Sequence, residues 1–399
     1  MTLIYQVEPA AVTPGTHVLA IAVGRYPHLL GGDPGALANK PLGLKQLKSP
    51  PVSLRHLLDW CFAPELHPDP PASPGLVNNQ APLASVEVLV SADEPFVAQT
   101  PDGQCDVERA TRNNIQLAFE SWLARMRTHP GNIGVFYFCG HGIMVSDHYL
   151  LADDFGASPA QPWANAFDIS NTMRAAEREI QGGMYFFIDA CREISRDVAM
   201  TLAANPSPLW APDLSKRLIS SSLTAIYATG EGELAYAPLG GEVSRFTFAL
   251  VCALSGYCGI KAPGTQTWNV TGETLAAAVR NILNVEHEYT QGKPNQKQVS
   301  EQQIRGEPVP ILTLSRPPLV KVVLDLDPVQ RRAMYDLYLQ SVLGGRYSQS
   351  CLNQAFRIDL PRGFYEVGAL DPAGGLPHVH HQEEELIPPF YTLTMRSQP

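Results

Sequence analysis

The chain has 399 residues and a formal net charge of −10, enough length for a large core and two domains and the wrong sign for coating nucleic acid. Apolar residues at 45% and charged residues at 17% fit an ordinary globular protein, and no run of 18 apolar residues is present, so no membrane span is expected. Seven cysteines, scattered and without a CxxC pair, read as reduced thiols in a cytoplasmic setting, and Met1 to Thr16 lacks the basic and apolar regions of a signal peptide.

Val18 to Val23 is an apolar run that predicts a first buried strand, ending in the turn Gly24-Arg25-Tyr26-Pro27. The glycine-rich loop from Gly31 to Gly35 lacks the Gly-Lys-Ser/Thr of a phosphate loop, because Lys40 precedes Pro41; it reads as a surface turn. Pro50-Pro51 introduces a helix to Cys61, with Leu54, Leu57 and Leu58 on one face. Val86 to Val90 predicts a second strand. After the N-cap candidate Thr111, Ile115, Phe119, Trp122 and Met126 recur at helical spacing, so this helix covers a sheet.

Val135 to Phe138 is apolar on both faces, as a central strand of a covered parallel sheet must be, and it runs into Cys139-Gly140-His141-Gly142. Tyr149 to Ala152 is a short apolar piece before Asp153-Asp154. A helix from Ser170 to Ile180 leads into a second fully apolar strand, Met184 to Ile188, which ends in Asp189-Ala190-Cys191-Arg192-Glu193. The irregular stretch that follows, to Leu223, is longer than most connections and reads as a functional or mobile loop. It carries Arg196, Lys216 and Arg217, and exposed segments of this kind are where proteolytic nicking concentrates, here expected near Lys216 or Arg217.

Ala225 to Thr229 resumes as a strand; Phe246 to Leu254 and Thr274 to Val285 read as helices, and Val309 to Leu314 as a last edge strand. Arg316-Pro317-Pro318 marks a boundary. Beyond it, Phe356 to Leu360 and Phe364 to Val367 form a hairpin pattern with a three-residue connection, Leu319 to Leu324 and Tyr391 to Met395 add strands, and Val329 to Leu343 reads as a helix. The expected organisation is therefore α/β with a largely parallel sheet over 1–316, and a small β-rich accessory domain over 317–399.

An imidazole and a thiol at the carboxyl ends of two such strands lie where open α/β sheets collect their chemistry, and they meet if the strands are neighbours. His141 and Cys191 are 50 residues apart. The two motifs at this spacing resemble the caspase and metacaspase group of cysteine peptidases. Here the second motif is Asp-Ala-Cys-Arg-Glu, with the metacaspase aspartate two residues before the cysteine. The resemblance implies a three-layer sandwich and an endopeptidase acting on protein or peptide substrates without a cofactor. Cys191 is then the nucleophile and His141 the general acid, and the N–H groups of Gly142 and Cys191 form the oxyanion hole. It also implies a regulated effector of cell death or defence, answering to an upstream activator.

Asp189, with Glu231 and Glu233, is the expected acidic substrate pocket, which favours cutting after arginine or lysine. Cys139 reads as a small core hydrophobe. His378, His380 and His381, followed by three glutamates, read as a solvated loop with no metal site. The alternative to an active peptidase is a catalytically silent caspase-fold scaffold, or a ligand-gated sensor whose C-terminal domain reads a small signal.

Overall fold

The apolar runs of the first three hundred residues become the strands of one sheet. The chain is described here by a computed structural model covering residues 2–7, 13–38, 42–63, 75–192, 206–233, 235, 241–289, 298–350 and 353–397. Among its strands are β1 (Leu3–Gln6), β2 (Thr16–Val23), β3 (Leu83–Ser91) and β4 (Ile133–Gly140), then β5 (Gly142–Met144), β6 (His148–Leu151) and β7 (Ala166–Asp168). They continue with β8 (Gly183–Ala190), β9 (Ser222–Tyr227) and β10 (Glu301–Gly306).

Seven of these form the sheet β1-β3-β2-β4-β8-β9-β10. The five inner strands are parallel and the two edge strands antiparallel to their neighbours. β2, β4 and β8 are buried along their whole length, the reason their sequences are apolar on both faces. The short strands β5, β6 and β7 form a separate small sheet directly after His141.

Helices cover both faces. Thr111 caps α2 (Arg112–Met126) by accepting the Asn114 N–H at 3.2 Å, and Asp168 caps α3 (Ile169–Glu179) through the Asn171 N–H at 2.8 Å. Phe119, Trp122 and Met173 share one apolar cluster with Leu19, Phe136 and Phe186 of the sheet. Side chains alternate along a strand, so Tyr137 points to the other face, where its hydroxyl lies 2.7 Å from Thr247 Oγ1. Thr247 belongs to α4 (Arg245–Cys252), which packs with α1 (Ser49–Cys61) and α5 (Gly272–Tyr289). This is the α/β caspase-like architecture, a covered and mostly parallel sheet of seven strands. No described helix is long and apolar enough to cross a membrane.

The loop after Cys191 is described from residue 206 onward, and that part is anchored along α3. Ser207 accepts the Asp168 N–H at 3.2 Å, the Leu209 N–H bonds Thr172 Oγ1 at 2.9 Å, and the Ile219 and Ser220 N–H groups both bond the Glu177 carbonyl. Arg196 lies outside the described residues; Lys216 pairs with Glu179 at 2.5 Å.

The chain divides into two compact units, Met1–Ser255 with Thr271–Thr313, and Gly256–Val270 with Leu314–Pro399. In the second unit lie β11 (Leu319–Asp327), β12 (Asp336–Ser341), β13 (Arg346–Gln349), β14 (Phe356–Pro361), β15 (Gly363–Leu370), β16 (Val379–Leu386) and β17 (Phe390–Arg396). They make two small sheets, β14-β11-β17 and β13-β12-β15-β16. Val320, Val322, Leu337, Leu339, Val367 and Leu386 share the core between them. The segment 256–270 joins this unit: the Tyr257 hydroxyl bonds Asp359 at 2.7 Å, Lys321 lies over the Tyr257 ring, and Arg362 over that of Trp268.

Four sequence expectations are corrected. The edge strand of the large sheet is Glu301–Gly306, which is mostly exposed and polar and so carries no apolar signal; of the expected edge strand Val309 to Leu314, Leu312–Leu314 is a strand but lies outside that sheet. Val329 to Leu343 is a 3-10 turn over Val329–Met334 and then β12, where Leu337 and Leu339 point inward at strand spacing. The pattern Phe356 to Val367 is not a hairpin: β14 pairs with β11 and β15 with β12 and β16, so the chain turns a corner between sheets. His380 and His381 lie in β16 rather than a loop, at positive φ, bonded to Glu384 and to the Tyr338 hydroxyl.

Candidate active site

β4 and β8 are adjacent and parallel, with Gly140 opposite Ala190. The next residue of each strand is His141 and Cys191, so the two leave the sheet side by side. This is the neighbour relation the pair of motifs required.

His141 is held from the end of β2. Its peptide N–H donates to the Tyr26 hydroxyl at 2.8 Å, and its ring packs against the Tyr26 ring at 4.9 Å. Its Nε2 lies 2.7 Å from the Lys45 carbonyl oxygen. A carbonyl only accepts, so Nε2 carries the hydrogen and Nδ1 holds the lone pair. Burial lowers the imidazole pKa to about 4, the Lys45 carbonyl opposing this weakly; the ring is neutral at pH 7. The Lys45 loop is itself stapled down: Gln46 accepts the Tyr26 N–H at 2.7 Å and donates to the carbonyls of Tyr26 and Leu30 at 2.9 and 3.2 Å.

Cys191 Sγ accepts the N–H of Ala235 at 3.3 Å, a contact that favours a thiolate. The Cys191 carbonyl lies 3.2 Å from His148 Nε2. Arg192 locks the loop after β9 in place. Its N–H bonds the Glu233 carbonyl at 3.1 Å, its carbonyl accepts the Gly232 N–H at 2.8 Å, and its guanidinium lies over the Tyr227 ring at 4.4 Å. That guanidinium also reaches Glu301 at 2.5 Å and Glu231 at 3.1 Å.

Gly142 begins the β5–β6 hairpin. The Leu151 N–H bonds the His141 carbonyl at 3.1 Å, so residues 141 and 151 are a hydrogen-bonded pair. Such pairs alternate, and the Gly142 N–H therefore faces away from the hairpin partner. A Cβ on Gly142 would sit 2.6 Å from the Cys191 carbonyl oxygen and 2.8 Å from the Ala190 Cβ. Neither can yield without moving the Cys191 end of β8. If the Gly142 N–H is an oxyanion donor, Gly142→Ala, which displaces it, is expected to lower kcat about 10²–10³-fold. Steady-state kinetics beside a thermal melt check this, and a wild-type rate would remove the hairpin from the oxyanion site.

Asp189 lies one layer below, 5% exposed. Thr247 at 2.6 Å, Cys139 at 3.5 Å and, more closely, Ser244 all donate to its Oδ2. No described lysine or arginine pairs with it, and Oδ1 takes none of these bonds. Burial raises its pKa, while the Ser244, Thr247 and Cys139 bonds pull it back. Cys139 is buried as expected and is also a donor; burial holds its thiol well above the usual range. Glu231 and Glu233 are exposed, with Glu231 paired to Arg192 and the Glu233 carbonyl accepting from Arg192 and Thr229. Asp153 and Asp154 are structural: Asp153 accepts from Ser91 and Arg109, and Asp154 from the Arg112 N–H at the start of α2. Among the described residues no group of three or more His, Cys, Asp or Glu is arranged to hold a metal.

Sequence reasoning missed four contributors. The Lys45 carbonyl and the Ala235 amide are backbone groups, identical in every residue type and so silent in a sequence. Tyr26 was visible only as part of a turn. His148 carried a weak signal, a lone histidine opening an apolar strand.

A covered, mostly parallel sheet of this strand order is the frame of a caspase-type domain. The caspase domain family (Peptidase_C14) matches residues 97–306, and the chain belongs to that family. It is 34% identical over 266 residues to the uncharacterized protein y4kE of Sinorhizobium fredii (strain NBRC 101917 / NGR234), covering 66% of this chain and 75% of that one. Among solved structures, caspase-1 from Spodoptera frugiperda is similar with a TM-score of 0.42 and 12% identity, over 78% of this chain and 98% of the other. A structure of pro-sf-caspase-1 gives a TM-score of 0.36 and 13% identity, over 73% of this chain and 91% of the other.

Proposed function

We propose that the chain is a cysteine endopeptidase in which Cys191 attacks the scissile carbonyl and His141 moves the proton, with a preference for arginine or lysine before the cut. The observation that carries this is the pairing of β4 with β8, which brings His141 and Cys191 out of the sheet together. A neutral imidazole with its lone pair on Nδ1 takes the proton from the Cys191 thiol as the sulfur bonds to the carbonyl carbon. The C=O electrons pass to an oxyanion, for which the N–H groups of Gly142 and Cys191 are the candidate donors. When the C–N bond breaks, Nδ1–H returns its proton to the departing amine and leaves a thioester on Cys191. Water then attacks the thioester, giving a proton to Nδ1 and, on collapse, releasing the acid and the thiol.

The basic preference is supported by Asp189, a buried carboxylate without a described cationic partner beside the nucleophile. Glu231 contributes less to it, since Arg192 already neutralises that carboxylate. The role as a regulated cytoplasmic effector of death or defence rests on family likeness alone.

The pH profile tests the resting state. Activity needs neutral His141, present above its pKa and lost as the pH falls through about 4, so the acid limb of kcat/KM is expected well below the ordinary histidine value of ~6.5. Folding stability falls over the same range, because His17, His141 and His148 are held at about 4, 4 and 3 while the unfolded chain takes up their protons from ~6.5 downward. Brief acid assays with recovery at pH 7 separate the two losses. An acid limb at 6 or above would overturn the neutral resting dyad.

A further inference from the structure

One buried imidazole plays no part in that chemistry. His148 opens β6 and is 1% exposed. Burial and the nearby Arg192 guanidinium hold its pKa down to about 3, so it stays neutral. A bond from Nε2 to the Cys191 carbonyl, at 3.2 Å, requires the hydrogen on Nε2. The other nitrogen, Nδ1, is then a bare acceptor, and among the described residues it is buried with no partner. An empty buried acceptor costs free energy that a leucine in its place would avoid. The penalty is tolerated where the opposite nitrogen grips the nucleophile's own peptide.

The surroundings make that grip consequential. His148 pairs with Met144 across the β5–β6 hairpin, which also carries Gly142. A Cβ on Gly142 would lie 2.7 Å from His148 Nε2 and 2.6 Å from the Cys191 oxygen, so hairpin, imidazole and nucleophile peptide are in one close-packed layer. From the other side, Arg192 holds the same turn of chain through Gly232 and Glu233.

We propose that His148 is a positioning residue for the nucleophile: by fixing the peptide that follows Cys191, it sets the direction of Sγ relative to His141 and to the Gly142 N–H. The inference rests on the reading of Cys191 as nucleophile. A general stabilising role predicts a lower melting temperature and an unchanged rate per folded molecule. A positioning role predicts a loss in kcat with KM preserved, since only the reacting geometry is disturbed.

Three variants separate these. His148→Leu removes the donor, His148→Gln places an amide N–H near the reach of Nε2, and His148→Asn offers the same chemistry one bond short. Leu and Asn are expected to lower kcat at least about tenfold with KM within about twofold, and Gln to stay within about threefold of wild type. The rate at which iodoacetamide labels Cys191, read by intact mass across pH, should fall in the same order. Folded Leu and Asn variants with wild-type kcat and labelling overturn the proposal, as does a Gln variant as impaired as Leu. If His148→Leu does not fold, the contrast between Gln and Asn decides. Labelling that depends on His148 in a wild type that cuts no peptide would overturn the peptidase reading and leave this one standing.

Discussion

Replacing Cys191 with alanine is expected to abolish peptide hydrolysis, at least about 10⁴-fold, while leaving the melting temperature close to wild type. The substitution removes the sulfur and little volume, and the Cys191 backbone stays tied to His148 and, through Arg192, to Glu233. The informative control is Cys139→Ala. That thiol lies inside β4 against Asp189, so its loss lowers stability and keeps turnover. Active-site titration with a peptidyl electrophile, followed by mass mapping, checks both at once. A purified Cys191→Ala enzyme that still cleaves a wild-type substrate would end the assignment.

The second large effect concerns the choice of substrate. Asp189→Asn is expected to reduce kcat/KM for arginine and lysine peptides by roughly 10²- to 5 × 10³-fold relative to uncharged ones, since breaking a desolvated charge pair costs ~3–5 kcal/mol. The ratio between substrates is the proper readout. Asparagine also disturbs the bonds from Ser244 and Thr247, a loss that touches all substrates equally. Should the ratio stay constant, Asp189 serves only to tie α4 to the strand end, which those bonds already explain. A peptide profile led by aspartate or by small residues would sink basic specificity and spare the dyad.

The central part of this fold is legible because burial on both sides leaves a plain mark. Val135 to Phe138 and Met184 to Ile188 tolerate no polar residue, and their ends place His141 and Cys191 before any coordinates are known. β10 was missed for the converse reason: Glu301 to Arg305 faces water, and a polar strand looks like a loop. β12 was misread because Tyr335, Leu337 and Leu339 suit either a helix or a strand until one knows which of them is inward. The site shows the same division. Its side chains can be found by type, whereas the Lys45 carbonyl that selects the His141 tautomer is invisible until the chain is folded.

The path of the chain between its two units carries a practical consequence. It leaves the first unit for residues 256–270, returns for 271–313, and leaves again. The tail is therefore not a detachable appendage. Cutting after residue 316 would keep the seven-stranded sheet intact and yet strand the 256–270 excursion, depriving Tyr257 of Asp359 and Trp268 of Arg362. A clean separation needs the 256–270 segment removed together with the tail. During synthesis the early excursion must likewise wait, its partners still inside the ribosome, until the last quarter of the chain emerges.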